Sequence, residues 1–172
     1  YKRKLSGTGV DIGLLIPLSD SKLTLILGYA FGSGDEANLA EITNNKPVDK
    51  RFRQSGFQLN NGWLGEGGAK FKYYGELVKP ELSNIAISTL GLRLKPNETS
   101  SIELVYHDYQ QDQASSQFYG QGIKVTPNGI NPELGEAVDL IFDTGAIPGP
   151  HSFYSSGVHR ASVESRFKNI MN

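Results

Sequence analysis

Cysteine is absent from the 172 residues, which excludes disulfides, thiolate metal sites and cysteine nucleophiles while leaving the compartment open. No run of about 18 apolar residues occurs, so no transmembrane helix is encoded. An excess of either charge is missing too. Seventeen basic and eighteen acidic side chains leave a net charge of −1, which argues against a general nucleic-acid binder. Tyr1-Lys2-Arg3-Lys4 is basic but leads into no continuous apolar region, so no signal peptide is read within these residues. Twenty Gly and eight Pro are too many for a helical bundle and too few for a disordered linker.

What the chain has is period-two alternation. Val10, Ile12, Leu14, Ile16 and Leu18 fall on one face, and Gly9, Asp11, Gly13, Leu15 and Pro17 on the other. Ser19-Asp20-Ser21-Lys22 makes a turn, and the chain returns with Leu23, Leu25, Leu27, Tyr29 and Phe31 on one face. Alternate side chains of a strand point to opposite sides, so each segment carries one apolar face. A second hairpin sets Ala86, Ser88, Leu90, Leu92 and Leu94 against Ile85, Ile87, Thr89, Gly91, Arg93 and Lys95. Pro96-Asn97-Glu98-Thr99 turns the chain, and Ile102, Leu104 and Tyr106 open the next strand. Further strands are read over Leu134–Phe142 and from about Val158 to Phe167. Helical periodicity is not sustained over three turns anywhere. The fold class is all-β and antiparallel, with about seven strands of about ten residues.

Polar, Gly-rich stretches separate the hairpins, chiefly Gly32 to Gly68 and Gln111 to Asn131. If both short turns lie at one end, the stretch from about 32 to 84 is either one long excursion at the other end or hides an extra hairpin. Phe71 to Val78 is the place for that extra strand. Alternation alone also suits a soluble antiparallel sandwich, which has one apolar face per strand.

Several blocks in order narrow the choice. They are Gly28-Tyr29-Ala30-Phe31-Gly32-Ser33-Gly34-Asp35, Phe52-Arg53-Gln54-Ser55-Gly56-Phe57-Gln58-Leu59-Asn60, Phe71-Lys72-Tyr73-Tyr74-Gly75-Glu76 and Pro80-Glu81-Leu82-Ser83-Asn84. Leu104-Val105-Tyr106-His107, Leu134-Gly135-Glu136-Ala137-Val138-Asp139-Leu140 and His159-Arg160-Ala161 complete the set. Together they resemble the alginate-export family of outer-membrane β-barrels. That resemblance implies that residues 1–172 are the C-terminal part of a single large transmembrane barrel in the bacterial outer membrane. It implies a lumen lined by charge and partly occupied by loops, which conducts alginate or a related polyuronate passively. Its partners would be the anionic polysaccharide, outer-membrane lipid and periplasmic export-complex proteins. The family's second arginine after the Arg-Gln block is not evident near Gly62 and Trp63. Phe142 runs directly into Asp143, where the family pattern expects a longer connection and a strand with paired basic residues. A segment missing between Phe142 and Asp143 is therefore expected. The residues Lys168 to Asn172 also follow Phe167, where a barrel usually ends on an aromatic.

Arg53 matches the family motif and is the leading lumen candidate. Arg93 and Lys95 lie opposite Leu90, Leu92 and Leu94, so they point inward if those leucines face lipid; a snorkelling pair near Pro96 is the plainer alternative. Glu103 and His107 share the face opposite Leu104 and Tyr106 and would form a polar ladder in the lumen. His107 and Asp108 are neighbours in a strand and so cannot ligate one ion together. With His151 and His159 remote in sequence, no metal or cofactor site is expected. Nor do acid and base groups converge as an enzyme requires. The competing functional reading is a soluble all-β carbohydrate-binding or adhesion module.

Overall fold

A computed structural model describes residues 4–19, 22–35, 48–54, 74–75, 77–98, 100–120, 122, 126–144 and 159–166. They form eight strands and no helix: β1 (Lys4–Leu5), β2 (Gly9–Ser19), β3 (Leu23–Gly32), β4 (Val48–Asp49), β5 (Ile85–Asn97), β6 (Ser100–Gln110), β7 (Glu133–Thr144) and β8 (His159–Arg166). Six of them make one antiparallel sheet in the order β2-β3-β5-β6-β7-β8, and β1 pairs in parallel with β4 over two residues. Strands next to each other along the chain of the main sheet are also neighbours in space, so the sheet is an up-and-down meander. Among the described residues it does not close: β2 and β8 are its two ends.

Both alternating hairpins form as their sequences require. Leu14 faces Leu27 across the first pair, Leu27 faces Leu90 across the second, and Leu90 faces Tyr106 across the third. This register stacks the apolar sets of four strands on one side of the sheet. That side is exposed, with Ile12 57%, Leu90 52% and Leu104 52% accessible. The opposite side carries the buried residues Ile26, Ile87, Val105, Tyr109, Ala137 and Ile141. The apolar rows are not equally long on every strand. On β2 and β3 they reach Val10 and Phe31, whereas on β5, β6 and β7 they stop at Leu90, Tyr106 and Val138 and give way to Ser88, Asp108 and Glu136.

Three details differ from the sequence reading. The tip of the second turn is tighter than Pro96–Thr99, because Pro96 and Asn97 belong to β5. A register shift between Leu94 and Asn97 accommodates the proline, which lacks a ladder donor and is tolerated at such a bulge. The expected extra strand over Phe71–Val78 is not found in its described part: Tyr74, Leu77 and Val78 lie in turns, and 71–73 fall outside the described residues. The physical reason is the pairing of β3 directly with β5 along their full length, which leaves no ladder for an inserted hairpin. Among the described residues the long strands number six, against about seven in the sequence reading. At the Phe142–Asp143 junction β7 continues in register, with Asp143 opposite Ser101 and Thr144 opposite Ser100.

The long excursion between β3 and β5 packs onto the inner side of the sheet at the end away from the short turns. Tyr74, Val78 and Leu82 form one apolar cluster with Ala30, Ile85, Ile87, Tyr109, Leu134 and Ala137, flanked by Phe52 and Phe118. Burial of each such aliphatic side chain is worth about 1.5–3 kcal/mol, so this loop is fixed to the wall by its own core. A second, smaller cluster of Ile26, Val105 and Ile141 lies toward the short turns.

Candidate functional site: the inner wall and its loop cap

The inner wall is built from the alternate residues of β3, β5, β6 and β7. Near the short turns Arg93 faces Glu103 across the β5–β6 pair. Arg93 Nε donates to Glu103 Oε1 at 2.7 Å, and the two residues are only 5% and 3% exposed. Lys95, two residues on, is half-buried, and its backbone N–H donates to the Lys22 carbonyl at 2.7 Å, which ties the two hairpin turns together. Two rows further from the turns, Thr89 faces His107, with Thr89 Oγ1 2.9 Å from His107 Nδ1. His107 is fully buried, and its Nε2 lies 3.7 Å from Asp139 Oδ2 on β7. The strand alternation therefore brings Arg93, Glu103 and His107 to one side, as their positions in the sequence predict. It does not join them in one ladder: the apolar Val105 separates Glu103 from His107, and each finds its partner across the sheet.

Above His107 the excursion loop closes over the wall. Tyr109 Oη donates to the Tyr74 carbonyl at 2.8 Å, and Tyr74 Oη donates to Asp11 Oδ2 at 2.7 Å. Gly75 occupies the left-handed region with φ of 93°. A Cβ there would lie 2.3 Å from Tyr109 Oη and 3.5 Å from Asp139 Oδ2, so only glycine lets the loop backbone come this close.

At the far end the loops knit into a cap. Asn84 exchanges two hydrogen bonds with the backbone of Gln113, at 2.9 and 2.8 Å, and Gly34 N donates to Asp112 Oδ2 at 2.8 Å. Leu82 N donates to Gln54 Oε1 at 2.9 Å. Arg53 sits in this cap and is exposed, not on the wall. Its guanidinium bonds Asp49 Oδ2 at 2.7 Å, and that hydrogen bond and charge raise its pKa above its already high ordinary value. Arg51 bonds the Tyr119 hydroxyl and lies over its ring, 4.5 Å from the centroid. No cluster of three or more metal-ligating side chains is present among the described residues. His151 lies outside the described residues, and of His159 only the backbone is described.

Asp139, Thr89, Asp49 and Tyr119 escaped the sequence reading. Asp139 and Thr89 were accessible to it, because each alternates with outward-facing neighbours: the apolar Val138 and Leu140 for one, Ser88 and Leu90 for the other. Asp49 and Tyr119 meet their partners through loop folding, which leaves no periodic trace.

An open antiparallel meander with an exposed apolar outer side and a buried charged inner side is the wall of a β-barrel-type protein rather than a two-layer sandwich, which would bury the apolar side. The chain belongs to the alginate-export family: residues 7–151 match the family described as "Alginate export". It is 27% identical over 164 residues to the "Alginate production protein AlgE" of Pseudomonas aeruginosa, covering 93% of this chain and 31% of that protein. It is likewise 27% identical over 150 residues to the protein of the same name from Azotobacter vinelandii, covering 81% of this chain and 29% of that one. The chain thus spans under a third of the length of the curated relatives it matches.

Proposed function

We propose that these residues form one wall of a larger outer-membrane β-barrel, its C-terminal portion, through which an anionic polysaccharide passes passively. The observation that carries the reading is the inversion of polarity across the sheet. Leucines at 90, 92, 94 and 104 are exposed on one side, while Arg93, Glu103, His107 and Asp139 are buried on the other. Water would favour the opposite arrangement; hydrocarbon outside and a polar lumen inside favour this one. The dimensions agree. β2, β3, β5, β6 and β7 contain 11, 10, 13, 11 and 12 residues, against the about 9–11 that a tilted strand needs to cross a bilayer. The apolar face from Val10 to Leu18 runs about 27 Å along its strand, or about 20 Å at the tilt usual for such barrels.

The outer edge of β2, which pairs with no strand among the described residues, supports the larger barrel, since open N–H and C=O groups cannot face lipid and closure requires further strands. The match covers under a third of each relative, so the relatives contain sequence enough for them. A segment absent between Phe142 and Asp143 belongs to the same proposal. Alginate, or a related polyuronate, is the cargo suggested by the relatives' names, and the role is conduction rather than catalysis. Arg53, its charge partly offset by Asp49, faces the passing polymer at the mouth, and Lys95 does so near the short turns. Arg93, Glu103 and His107 line the wall between them, with Arg93 already compensated by Glu103. Many weak contacts of this kind let a polymer move where one tight site would hold it.

The test is electrical. In planar bilayers the complete protein should conduct, and short oligouronates should block that current transiently. Absence of any conductance in the correctly assembled protein would contradict the proposal.

A further inference from the structure

We propose that the outer side of β5, β6 and β7 carries a polar notch at the end away from the short turns, against which the bilayer thins locally, so that lipid headgroups and water descend to Ser88, Asp108 and Glu136. The proposal rests on the membrane-wall reading and goes beyond it, because that reading requires an apolar belt but sets no outline for it.

The outward residues can be compared row by row across the ladder. Next to the short turns, Leu23, Leu94, Ile102 and Phe142 share one register row, so the belt has apolar residues there on β3, β5, β6 and β7 alike. Its other margin is not level. Outward apolar and aromatic residues continue to Val10 on β2 and Phe31 on β3, whereas on β5, β6 and β7 they stop at Leu90, Tyr106 and Val138, two rows earlier. One row beyond that stop, Ser88 faces Asp108 and Asp108 faces Glu136, in line with Tyr29 and Ile12. Ser88 is exposed, and both acids are half-buried. Asp108 Oδ2 accepts from Gln110 Nε2 at 3.2 Å, its outward neighbour two residues on. Tyr106 bonds Glu136 through its hydroxyl, so its ring ends the apolar rows and its polar tip meets the notch, the placement usual for an interfacial tyrosine.

Strand tilt does not produce this outline. Tilt shifts both margins of a belt together and leaves its height unchanged; here one margin keeps to a row while the other steps by two. Ile102 to Tyr106 span about 13 Å along β6, or about 10 Å across a bilayer at a tilt of about 45°. Even the distance from Ser100 to Asp108, polar residue to polar residue, is about 20 Å across the bilayer, against the about 25 Å usual for the apolar band. On β2 the apolar residues alone cover about 20 Å. A bilayer meets such a mismatch by thinning at modest cost, whereas drawing carboxylates into hydrocarbon is expensive. Headgroups therefore come down to Asp108 and Glu136. The exposed leucines directly below, continuous with those of β2 and β3, leave lipid as the neighbour that reaches the notch without any partner protein.

The experiment places spin labels, one at a time, through Ile12→Cys, Ser88→Cys, Leu90→Cys and Ser100→Cys in the complete protein reconstituted in bilayers, and reads access to oxygen and to an aqueous nickel reagent. These substitutions keep Asp108 and Glu136 in place. The label at 88 should be open to nickel, and the label at 12, in the same register row, should be shielded from nickel and open to oxygen. The label at 100 should also be open to nickel, because the belt is short rather than displaced. Adding Asp108→Leu and Glu136→Leu to the Ser88→Cys protein should shield its label to the level found at 12. A label at 88 as shielded from nickel as that at 12, or a label at 12 as open as that at 88, overturns the notch. So does a label at 100 buried in hydrocarbon, which would make the outline a matter of tilt, and so does a label at 88 closed to both reagents, which would mean that a protein covers it. The label at 90 separates the two claims. Oxygen access there with a failed notch overturns the notch alone, whereas nickel access at 90 defeats the membrane wall itself.

Discussion

Arg93 and Glu103 face one another across β5 and β6, joined at 2.7 Å with both side chains buried. The pair cancels its own charge inside the wall, so neither member adds a net field there. Removing one partner strands the other in a buried site, at a cost of about 3–5 kcal/mol, whereas replacing both with apolar residues of similar volume is close to neutral. Arg93→Met and Glu103→Leu should each lower the unfolding free energy by about that amount, and the double substitution should restore most of it. Denaturant titration of the four proteins in micelles reads the result directly.

Gly75 and Tyr109 should be coupled. Gly75→Ala places a methyl against the Tyr109 hydroxyl at a backbone angle that costs an L-residue about 1–2 kcal/mol on its own. Tyr109→Phe removes the hydroxyl and its bond to the Tyr74 carbonyl, a loss of about 1 kcal/mol. In the double variant the clash disappears while the backbone strain remains. The two changes should therefore cost less together than their sum, and hydrogen exchange over residues 74–84 should rise in each single variant.

Arg53 is expected to shape ion selectivity without a pH switch. Asp49 raises its pKa, so its positive charge is present at all pH values below that elevated value and lost only above it. Arg53→Glu should reduce anion preference in planar bilayers, most strongly at low salt. The parent's contribution from Arg53 should stay flat from about pH 5 to 9. Unchanged selectivity would make Arg53 an ordinary loop residue.

Leu90 and Thr89 are adjacent but point to opposite sides. Leu90→Arg should cost about 2–4 kcal/mol if that side meets the middle of a bilayer. A penalty near zero in a lipid bilayer would argue against the assigned side.

The strands and their faces were legible because alternation is a local signal: Val10 to Leu18 and Leu90 to Leu94 declare their side without any partner. The inward direction of Arg93, Glu103 and His107 followed from the same rule. Their partners did not. Whether Arg93 meets Glu103 or slips past it is set by the bulge between Leu94 and Asn97, which the sequence marks only by Pro96. Asp139 reaches His107 only after β7 takes its place beside β6. The loop cap was least legible. Arg53 stands out by motif position, but Asp49 claims it, while Arg51 meets Tyr119, a contact decided by loop packing across 68 residues. Phe71 to Val78 looked like a strand because its aromatics suit one; in its described part they instead anchor a turn, Tyr74 bonding Asp11 and Val78 entering the core.

The account turns on which solvent touches the outer side of the sheet, and spin labels measure that. Labels introduced by Leu25→Cys and Leu90→Cys in the complete, bilayer-reconstituted protein, with Lys50→Cys as an exposed loop reference, report access to oxygen and to aqueous nickel reagents. These 172 residues hold no cysteine to compete. Oxygen access with nickel shielding at positions 25 and 90, reversed at position 50, is the predicted result. Nickel access at both leucine positions would contradict the lipid-facing wall on which the conduit depends.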